Sequence, residues 1–211
     1  MSLSVAVYGD SISTGTHGAG GWTPALRELG PVTVHNHAVG SSRLAAGGPG
    51  SLVEVLALPG SLHPDAEAVV LWHGSNDWYW GTPLGDPTTG PTTFNGALTQ
   101  CVERLRAARP GVPIVSPTPL WRFEGPDGAP AAGDASTTRN AVGLTLADYR
   151  GALLAAAPKL GLDVVDMDAA GVSAETASLL LEDGVHPNAA GYRAIAPLLV
   201  TALREVLARG R

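Results

Sequence analysis

The sequence predicts a three-layer α/β/α sandwich built around a parallel β-sheet. Short runs rich in Val, Ile and Leu alternate with longer segments of helical periodicity, which is the pattern of repeated βαβ units. The short runs are apolar at nearly every position, so both faces of each strand are expected to be buried. Because βαβ crossovers are right-handed, helices come to cover both faces of the sheet. The length of 211 residues suits one domain, and we expect residues 1–211 to form it.

Five apolar runs are predicted to be the strands of this sheet. They are, in chain order, residues 4–8, 32–37, 68–73, 113–116 and 163–166. Each is short, as strands of globular proteins usually are. Ligands bind beyond the carboxyl ends of the strands in open α/β sheets, so the residues that follow these runs are the first candidates for a functional site.

Helices are predicted between and after the strands. In residues 94–109 the apolar side chains recur at intervals of three and four, which places them on one face of a helix. Residues 145–160 and 189–207 show the same pattern, and residues 22–29 and 52–58 are shorter candidates. Two segments rich in Pro and Gly are predicted to be surface loops that overhang a site, residues 82–93 and 123–137.

The composition argues against several classes of partner. The chain has 13 Lys and Arg against 19 Asp and Glu, a net charge of −6, and no run of basic residues. Nucleic acids and anionic membranes require clustered cations, so we expect neither as a partner. The single cysteine, Cys101, allows no disulfide within the chain and no cysteine-based metal site, and we expect it in the core.

The sequence pattern predicts neither a membrane span nor a signal peptide. No apolar stretch reaches the ~18 residues that a membrane span needs. Residues 1–5 lack the basic and apolar regions of a signal peptide. We therefore expect a cytoplasmic protein, with a secreted form that has lost its signal peptide as the alternative. The sequence does not indicate the oligomeric state.

Four polar motifs follow the predicted strands or precede the last helix. They are Gly9-Asp10-Ser11-Ile12-Ser13, the segment around Gly40, Gly74-Ser75-Asn76-Asp77, and Asp183-Gly184-Val185-His186-Pro187. The first three follow strands one, two and three of the predicted sheet. A hydroxyl, a glycine N–H, a carboxamide and an Asp/His pair would thus converge on one edge of the sheet.

This set of groups is the one that acyl transfer requires. Serine is a weak nucleophile until a neighbouring base takes its proton, and histidine serves because its pKa is near neutrality. A carboxylate holds the imidazole in the required tautomer. Hydrogen-bond donors must then meet the developing oxyanion. Gly40 can present its N–H without a side chain in the way, and Asn76 can donate from its amide.

The four motifs, in this order and spanning nearly the whole chain, resemble the four sequence blocks of the SGNH (GDSL) hydrolase superfamily. The resemblance implies a flavodoxin-like sandwich with strand order 2-1-3-4-5, and cleavage of ester or thioester bonds through an acyl-serine intermediate. It implies that Ser11 is the nucleophile, His186 the base and Asp183 its orienting carboxylate. The Ser11 N–H, the Gly40 N–H and the Asn76 side chain would form the oxyanion hole. We predict no cofactor and no metal.

The substrate is predicted to be a small-molecule ester with a small or medium acyl group. Trp78, Trp80 and Trp121 follow strands three and four and are candidates for the lining of its pocket. Tryptophan stacks on sugars as readily as it holds acyl chains, so a carbohydrate O-acetylesterase is the nearest alternative. Acyl transfer to an alcohol requires the same residues and is a further alternative.

Two alternatives belong to other classes. Carboxylate, carboxamide and imidazole groups are plausible ligands of a hard metal ion, so a metal-dependent phosphoesterase could use Asp10, Asn76, Asp77, Asp183 and His186. A binding module with a decayed site is the other alternative.

Some polar residues near the motifs are expected to be structural. Asp10 and Asp77 are predicted to brace loops by accepting hydrogen bonds from backbone N–H groups. His35 and His37 alternate along the second strand and share a face, as a metal-binding pair would, but the sequence shows no third ligand.

Overall fold

The protein folds around a five-stranded parallel sheet in a computed structural model, which describes residues 2–48, 50–124 and 132–209. The described strands are β1 (Leu3–Gly9), β2 (Val32–Asn36), β3 (Ala68–Trp72), β4 (Ile114–Pro117), β5 (Phe123–Glu124), β6 (Gly133–Asp134) and β7 (Asp163–Val165). The sheet has the order β2-β1-β3-β4-β7, and all neighbours are parallel. Counted within the sheet, this is the predicted order 2-1-3-4-5, so the predicted fold class is confirmed.

Helices cover both faces of the sheet. The α-helices are α1 (Leu52–Val55), α2 (Ser75–Tyr79), α3 (Phe94–Ala108), α4 (Leu146–Leu160), α5 (Ala177–Leu180) and α6 (Ala189–Arg209), and 3-10 helices span Thr23–Leu29 and Met167–Ala170. The core on one face is formed with α1, α3 and α4, and the core on the other with α6 and the two 3-10 helices. None of the helices in the described ranges has both the length and the apolar character that a membrane span requires.

Strand β1 shows why the strands of this sheet are apolar throughout. Val5 and Val7 lie in the core beneath α6, whereas Ala6 and Tyr8 lie in the core beneath α3 and α4. All four side chains are fully buried. Successive residues of a strand point to opposite faces, so a sheet covered on both sides needs apolar residues at every position. Each buried valine stabilises the fold by about 1.5–3 kcal/mol.

The local predictions agree with the structure except in short elements. The three long helices and the five sheet strands match the predicted segments to within two residues at each end. The candidate at 22–29 is a 3-10 helix, and the predicted loop 82–93 is irregular. The loop predicted at 123–137 contains the antiparallel pair β5–β6, while residues 125–131 of that prediction lie outside the described residues.

Candidate active site

Residues from opposite ends of the chain meet at the carboxyl edge of the sheet. The Oγ of Ser11, which follows β1, lies 2.9 Å from Nε2 of His186, which precedes α6. The Nδ1 of the same imidazole lies 2.6 Å from Oδ2 of Asp183. A carboxylate at Nδ1 selects the tautomer that carries its proton there, and Nε2 is then free to accept a proton from the hydroxyl.

The loop between α5 and α6 fixes this Asp/His pair. The second oxygen of Asp183 accepts the backbone N–H groups of Val185 at 2.9 Å and His186 at 2.8 Å. The N–H of Glu182 donates to the carbonyl of His186 and closes the loop. Partial burial raises the pKa of Asp183, but hydrogen bonds from His186 and Val185 outweigh it and leave the pKa below its usual value. The carboxyl is therefore ionised at neutral pH.

Remote side chains hold the turn that carries Ser11. The hydroxyl of Tyr192, on α6, donates to the carbonyl of Ile12 at 2.8 Å. The indole N–H of Trp22 donates to Oγ of Ser13 at 3.1 Å, and the N–H of Ser13 closes a turn on the carbonyl of Asp10 at 2.9 Å. These bonds fix the backbone beside the Ser11 hydroxyl, so the fold itself holds the hydroxyl in place.

The backbone N–H groups of Ser11 and Gly40 are available donors as far as the described residues show. The loop after β2 is hydrogen-bonded to the end of β1, since the N–H of Val39 donates to the carbonyl of Gly9 at 3.0 Å. This contact brings Gly40 next to the first motif. Within the described part of the chain, neither the Ser11 N–H nor the Gly40 N–H has a hydrogen-bond partner. A Cβ added to Gly40 would meet no atom within 4 Å, so the space beside this residue is open.

Asn76 brings a third donor to the same edge. It lies in the first turn of α2, after Gly74, whose φ of +124° and close approach to Pro119 exclude a side chain. The Nδ2 of Asn76 donates to the carbonyl of Ser42 at 2.8 Å and makes a longer contact of 3.4 Å with Asp10. The hydrogen bond from one amide hydrogen to Asp10 is therefore weak. This hydrogen can be donated to an oxygen atom of a ligand instead.

Asp10 and Asp77 accept backbone N–H groups, as predicted. Asp10 binds the N–H of Ile12 at 3.0 Å, and Asp77 binds those of Leu44 at 2.9 Å and Ala45 at 3.2 Å. Burial raises the pKa of each carboxyl to about 6, against the lowering effect of these bonds. Both oxygens of Asp77 and one oxygen of Asp10 hold backbone segments in this way, so this geometry gives the phosphoesterase alternative no support.

Two further residues were not predicted from the sequence. The buried Arg122, after β4, donates from Nη1 to Oδ1 of Asn76 at 2.8 Å. The ring of His17 stacks on that of His186 with a centroid separation of 3.8 Å and an interplanar angle of 7°, while its Nδ1 pairs with Glu182. The position of Arg122 beyond the carboxyl end of a strand was a signal for the first of these contacts, but no sequence pattern indicated the second.

The three candidate pocket tryptophans have different surroundings. Trp78 is fully buried in the core, with its indole N–H on the carbonyl of Thr138 at 3.1 Å. The prediction that it lines a pocket is wrong, because a side chain without exposed surface cannot contact a substrate. Trp80 is 48% exposed on the surface, edge-on to Tyr79. Trp121 lines two adjoining clefts of about 570 and 340 Å³, and the larger one also includes Asp183.

His35 in β2 and His37, which directly follows this strand, contact a third histidine. The rings of His35 and His63 are stacked at 3.9 Å, and the Nε2 atoms of His37 and His63 are 2.6 Å apart. Stacked rings do not direct their nitrogens to one point. Among the described residues there is no group of three or more His, Cys, Asp or Glu side chains that could hold a metal ion.

Comparisons with known proteins agree with this geometry. Residues 7–194 match the model of the GDSL-like lipase/acylhydrolase family, and this match includes every motif of the site. The chain belongs to this family. Members of a GDSL-like acylhydrolase family are ester hydrolases, and a serine triad with an oxyanion hole is expected of them. The resemblance drawn from the four motifs is thereby confirmed.

Solved structures share the fold of this GDSL-like protein over nearly its whole length. One of them is 30% identical, covers 97% of both chains and has a TM-score of 0.84. A protein from Lactobacillus plantarum is 25% identical over 97% of this chain and 98% of its own, with a TM-score of 0.79. A "possible lipase" from Chitinophaga pinensis is 20% identical over 97% and 98%, with a TM-score of 0.77, and shows the fold alone. No curated protein matches the chain.

Proposed function

We propose that this protein is a serine hydrolase that cleaves carboxylic ester or thioester bonds of small or medium acyl substrates through an acyl-Ser11 intermediate. One observation carries the proposal more than any other: the imidazole of His186 lies between the Ser11 hydroxyl at 2.9 Å and the Asp183 carboxylate at 2.6 Å. Both distances are within the range needed for proton transfer and for orientation of the base.

The reaction proceeds in two acyl-transfer steps. The Oγ of Ser11 attacks the carbonyl carbon while its proton passes to Nε2 of His186, and Asp183 stabilises the resulting imidazolium. The tetrahedral intermediate then loses its alcohol or thiol, which takes the proton from His186. His186 then takes a proton from a water molecule, which attacks the acyl carbon. The second tetrahedral intermediate releases the carboxylic acid, and Ser11 regains its proton from His186. Each proton moves between hydroxyl, imidazole and leaving group without a cofactor.

Three donors support the oxyanion in this scheme. The N–H groups of Ser11 and Gly40 have no hydrogen-bond partner among the described residues, and one N–H of Asn76 makes only the contact of 3.4 Å with Asp10. A negative charge that develops on the carbonyl oxygen would find donors already in place. Removal of one such donor typically lowers kcat by about 10²- to 10³-fold.

A covalent probe and two variants test the proposal. A fluorophosphonate should label the protein at Ser11, as located by peptide mass spectrometry. Ser11→Ala and His186→Ala should each lower the hydrolysis of p-nitrophenyl butyrate by about 10³-fold or more, because nucleophile and base act as one unit.

The matched control for the histidine is His63→Ala, which removes a half-buried imidazole that contacts other histidines instead of Ser11. This variant should retain wild-type turnover and labelling. Labelling at another residue, or wild-type turnover by a folded Ser11→Ala protein, would overturn the proposal.

A carbohydrate O-acetylesterase of the same mechanism is the second candidate. The smaller cleft beside Trp121 is also lined by three carboxylate residues, Asp134, Asp168 and Glu175. An aromatic ring beside hydrogen-bond acceptors suits the apolar face and the hydroxyl groups of a sugar. Comparison of kcat/KM for acetylated xylose or glucose with p-nitrophenyl esters of increasing chain length separates the two: preference for the acetylated sugars favours this candidate.

A further inference from the structure

Arg122 lies buried against the oxyanion donor Asn76 and has no role in the two acyl-transfer steps. Its side chain is almost inaccessible to solvent, and Nη1 donates to Oδ1 of Asn76 at 2.8 Å. The other terminal nitrogen forms an ion pair with Glu124 in β5. The guanidinium carbon lies 4.9 Å from the centroid of the Tyr79 ring. Two contacts from α2 and one from β5 thus fix the guanidinium in one position.

The chemistry of these two side chains dictates how the amide of Asn76 is turned. A guanidinium has only donors, so the carboxamide atom that faces it must be the oxygen. The NH₂ group must then point the opposite way, toward the carbonyl of Ser42 and toward Asp10. Without Arg122, only the contacts of the NH₂ group would oppose rotation of the amide, and a rotated amide would present its partly negative oxygen to the oxyanion and repel it.

The charge of Arg122 acts in the same direction. Burial lowers the pKa of Arg122 to about 10, against the raising effect of Asp10, Tyr79 and Asp183, so the side chain remains protonated at neutral pH. A cation that binds the amide oxygen withdraws electron density and strengthens donation from the amide nitrogen.

The burial of Arg122 is costly, which argues against a purely structural residue. Within the described part of the chain, its Nε–H is buried without a hydrogen-bond partner. A buried ion pair with an unsatisfied donor generally stabilises a fold less than apolar side chains of similar volume. Retention of such a group at the edge of the candidate active site is explained if it serves the reaction.

We propose that Arg122 is a positioning residue of the oxyanion hole: held by Glu124 and Tyr79, it fixes the orientation of the Asn76 carboxamide and strengthens its donation to the oxyanion. This proposal rests on the proposed serine-hydrolase function. It assigns Arg122 an effect on the transition state and none on the binding of the ground-state ester.

A double-mutant cycle separates this role from general support of the structure. Arg122→Gln should lower kcat for p-nitrophenyl butyrate by about 10- to 100-fold and leave KM nearly unchanged, because the affected donor acts on the transition state. Asn76→Ala alone should lower kcat by at least as much. The kcat of the double variant should lie within about 3-fold of the kcat of Asn76→Ala, because Arg122 acts only through that amide. The proposal would be overturned if the two single losses in kcat multiplied in the double variant. It would also be overturned if Arg122→Gln raised KM and left kcat unchanged.

Conservative variants and a control complete the test. Arg122→Lys should recover part of the lost kcat, since an ammonium can donate to the amide oxygen but does not reproduce the guanidinium fork. If Arg122→Gln does not fold, Glu124→Gln is the replacement: it should lower kcat and show the same non-additivity with Asn76→Ala. The matched control is Arg150→Gln, which removes an arginine paired with Asp166 and Asp168 and should leave kcat unchanged.

Failure of the proposal can be told from failure of the proposed function. If wild-type hydrolysis depends on Ser11 but Arg122→Gln leaves kcat unchanged, only the role of Arg122 is wrong. If hydrolysis does not depend on Ser11, the serine mechanism itself is wrong. A readout independent of activity is the pair of side-chain amide resonances of Asn76 in a ¹⁵N spectrum, which should shift in Arg122→Gln and stay unchanged in Arg150→Gln. Unchanged resonances in Arg122→Gln would contradict the assigned contact.

Discussion

Trp121 is the residue on which substrate selection is expected to depend. It lines two clefts, and its indole N–H is fixed on Oδ1 of Asp134 at 2.8 Å. The larger cleft reaches Asp183 and has a volume of about 570 Å³, within the usual size range of small-molecule sites. A substrate group that extends from the acyl carbon into this cleft would pack against the indole ring.

Trp121→Ala should therefore impair long esters more than short ones. We expect kcat/KM for p-nitrophenyl hexanoate to fall by about 10- to 100-fold, as loss of one large apolar contact implies. The value for p-nitrophenyl acetate should change little. Trp80→Ala is the matched control, because Trp80 is exposed and lines neither cleft. Equal losses for both esters, or for both variants, would contradict this role of Trp121.

At the scale of residues, the sequence predicted side chains whose chemistry is unusual and missed those that act through a neighbour. Ser11, Asp183 and His186 lie in motifs whose residue types are the hydroxyl, base and carboxylate that acyl transfer requires. Arg122 belongs to no such motif: its importance comes from a contact with Asn76, which lies 46 positions away. Trp78 was misjudged for the converse reason, since its neighbours Asn76 and Asp77 suggested a site while its own side chain turns into the core.

At the scale of elements, the start of α6 links the stability of a helix to the position of His186. Asn188 precedes the helix, and its Oδ1 accepts the N–H groups of Ala190 at 2.8 Å and Gly191 at 3.1 Å. Its Nδ2 donates to the carbonyl of Leu179 in α5 at 2.9 Å. The residue therefore caps one helix and ties it to the preceding one, two positions after His186.

Asn188→Ala should lower the free energy of unfolding by about 1–2 kcal/mol, because two first-turn N–H groups lose their acceptor. Asn188→Asp retains the acceptor and adds a negative charge at the helix N-terminus, so it should lose less. Urea denaturation followed by far-UV circular dichroism measures both. The role of the cap would be refuted if the two variants were destabilised equally.

The sequence located long elements better than short ones. Helices α3, α4 and α6 repeat their apolar pattern over several turns, so the signal accumulates. Helix α2 has a single turn and strands β5 and β6 have two residues each, too few for any period to appear. These short elements nevertheless carry Asn76 and Glu124, and their positions depend on the packing of the finished fold.

At the scale of the whole molecule, strand order could be predicted only through the resemblance to a family. Apolar runs predict which segments are strands and that both faces are covered, as β1 shows. They do not specify which strand lies beside which, because Val-rich strands are nearly interchangeable as neighbours. The placement of β1 between β2 and β3 brings three of the four motifs to adjacent strand ends.

Two kinds of buried titratable group make the stability of the molecule depend on pH in opposite directions. Burial lowers the pKa of His73 from its usual 6.5 to about 3, so below pH 6.5 the unfolded chain binds a proton that the native protein refuses. Burial raises the pKa of Asp77 from 3.8 to about 6, so between these values the native protein binds a proton that the unfolded chain releases. The contribution of His73 to stability is lost as the pH falls below 6.5. That of Asp77 is lost as the pH rises through about 6.

Replacement of each group should therefore change the pH dependence with opposite sign. Each proton contributes about 1.4 kcal/mol per pH unit to the free energy of unfolding. Relative to wild type, His73→Met should become more stable by about this amount per unit as the pH is lowered from 6 to 4, whereas Asp77→Asn should become less stable. Urea denaturation at half-unit steps from pH 4 to 7 gives both slopes, and any constant offset from altered packing cancels. Parallel curves for the variants and wild type would show that the native protein shifts the pKa of neither side chain.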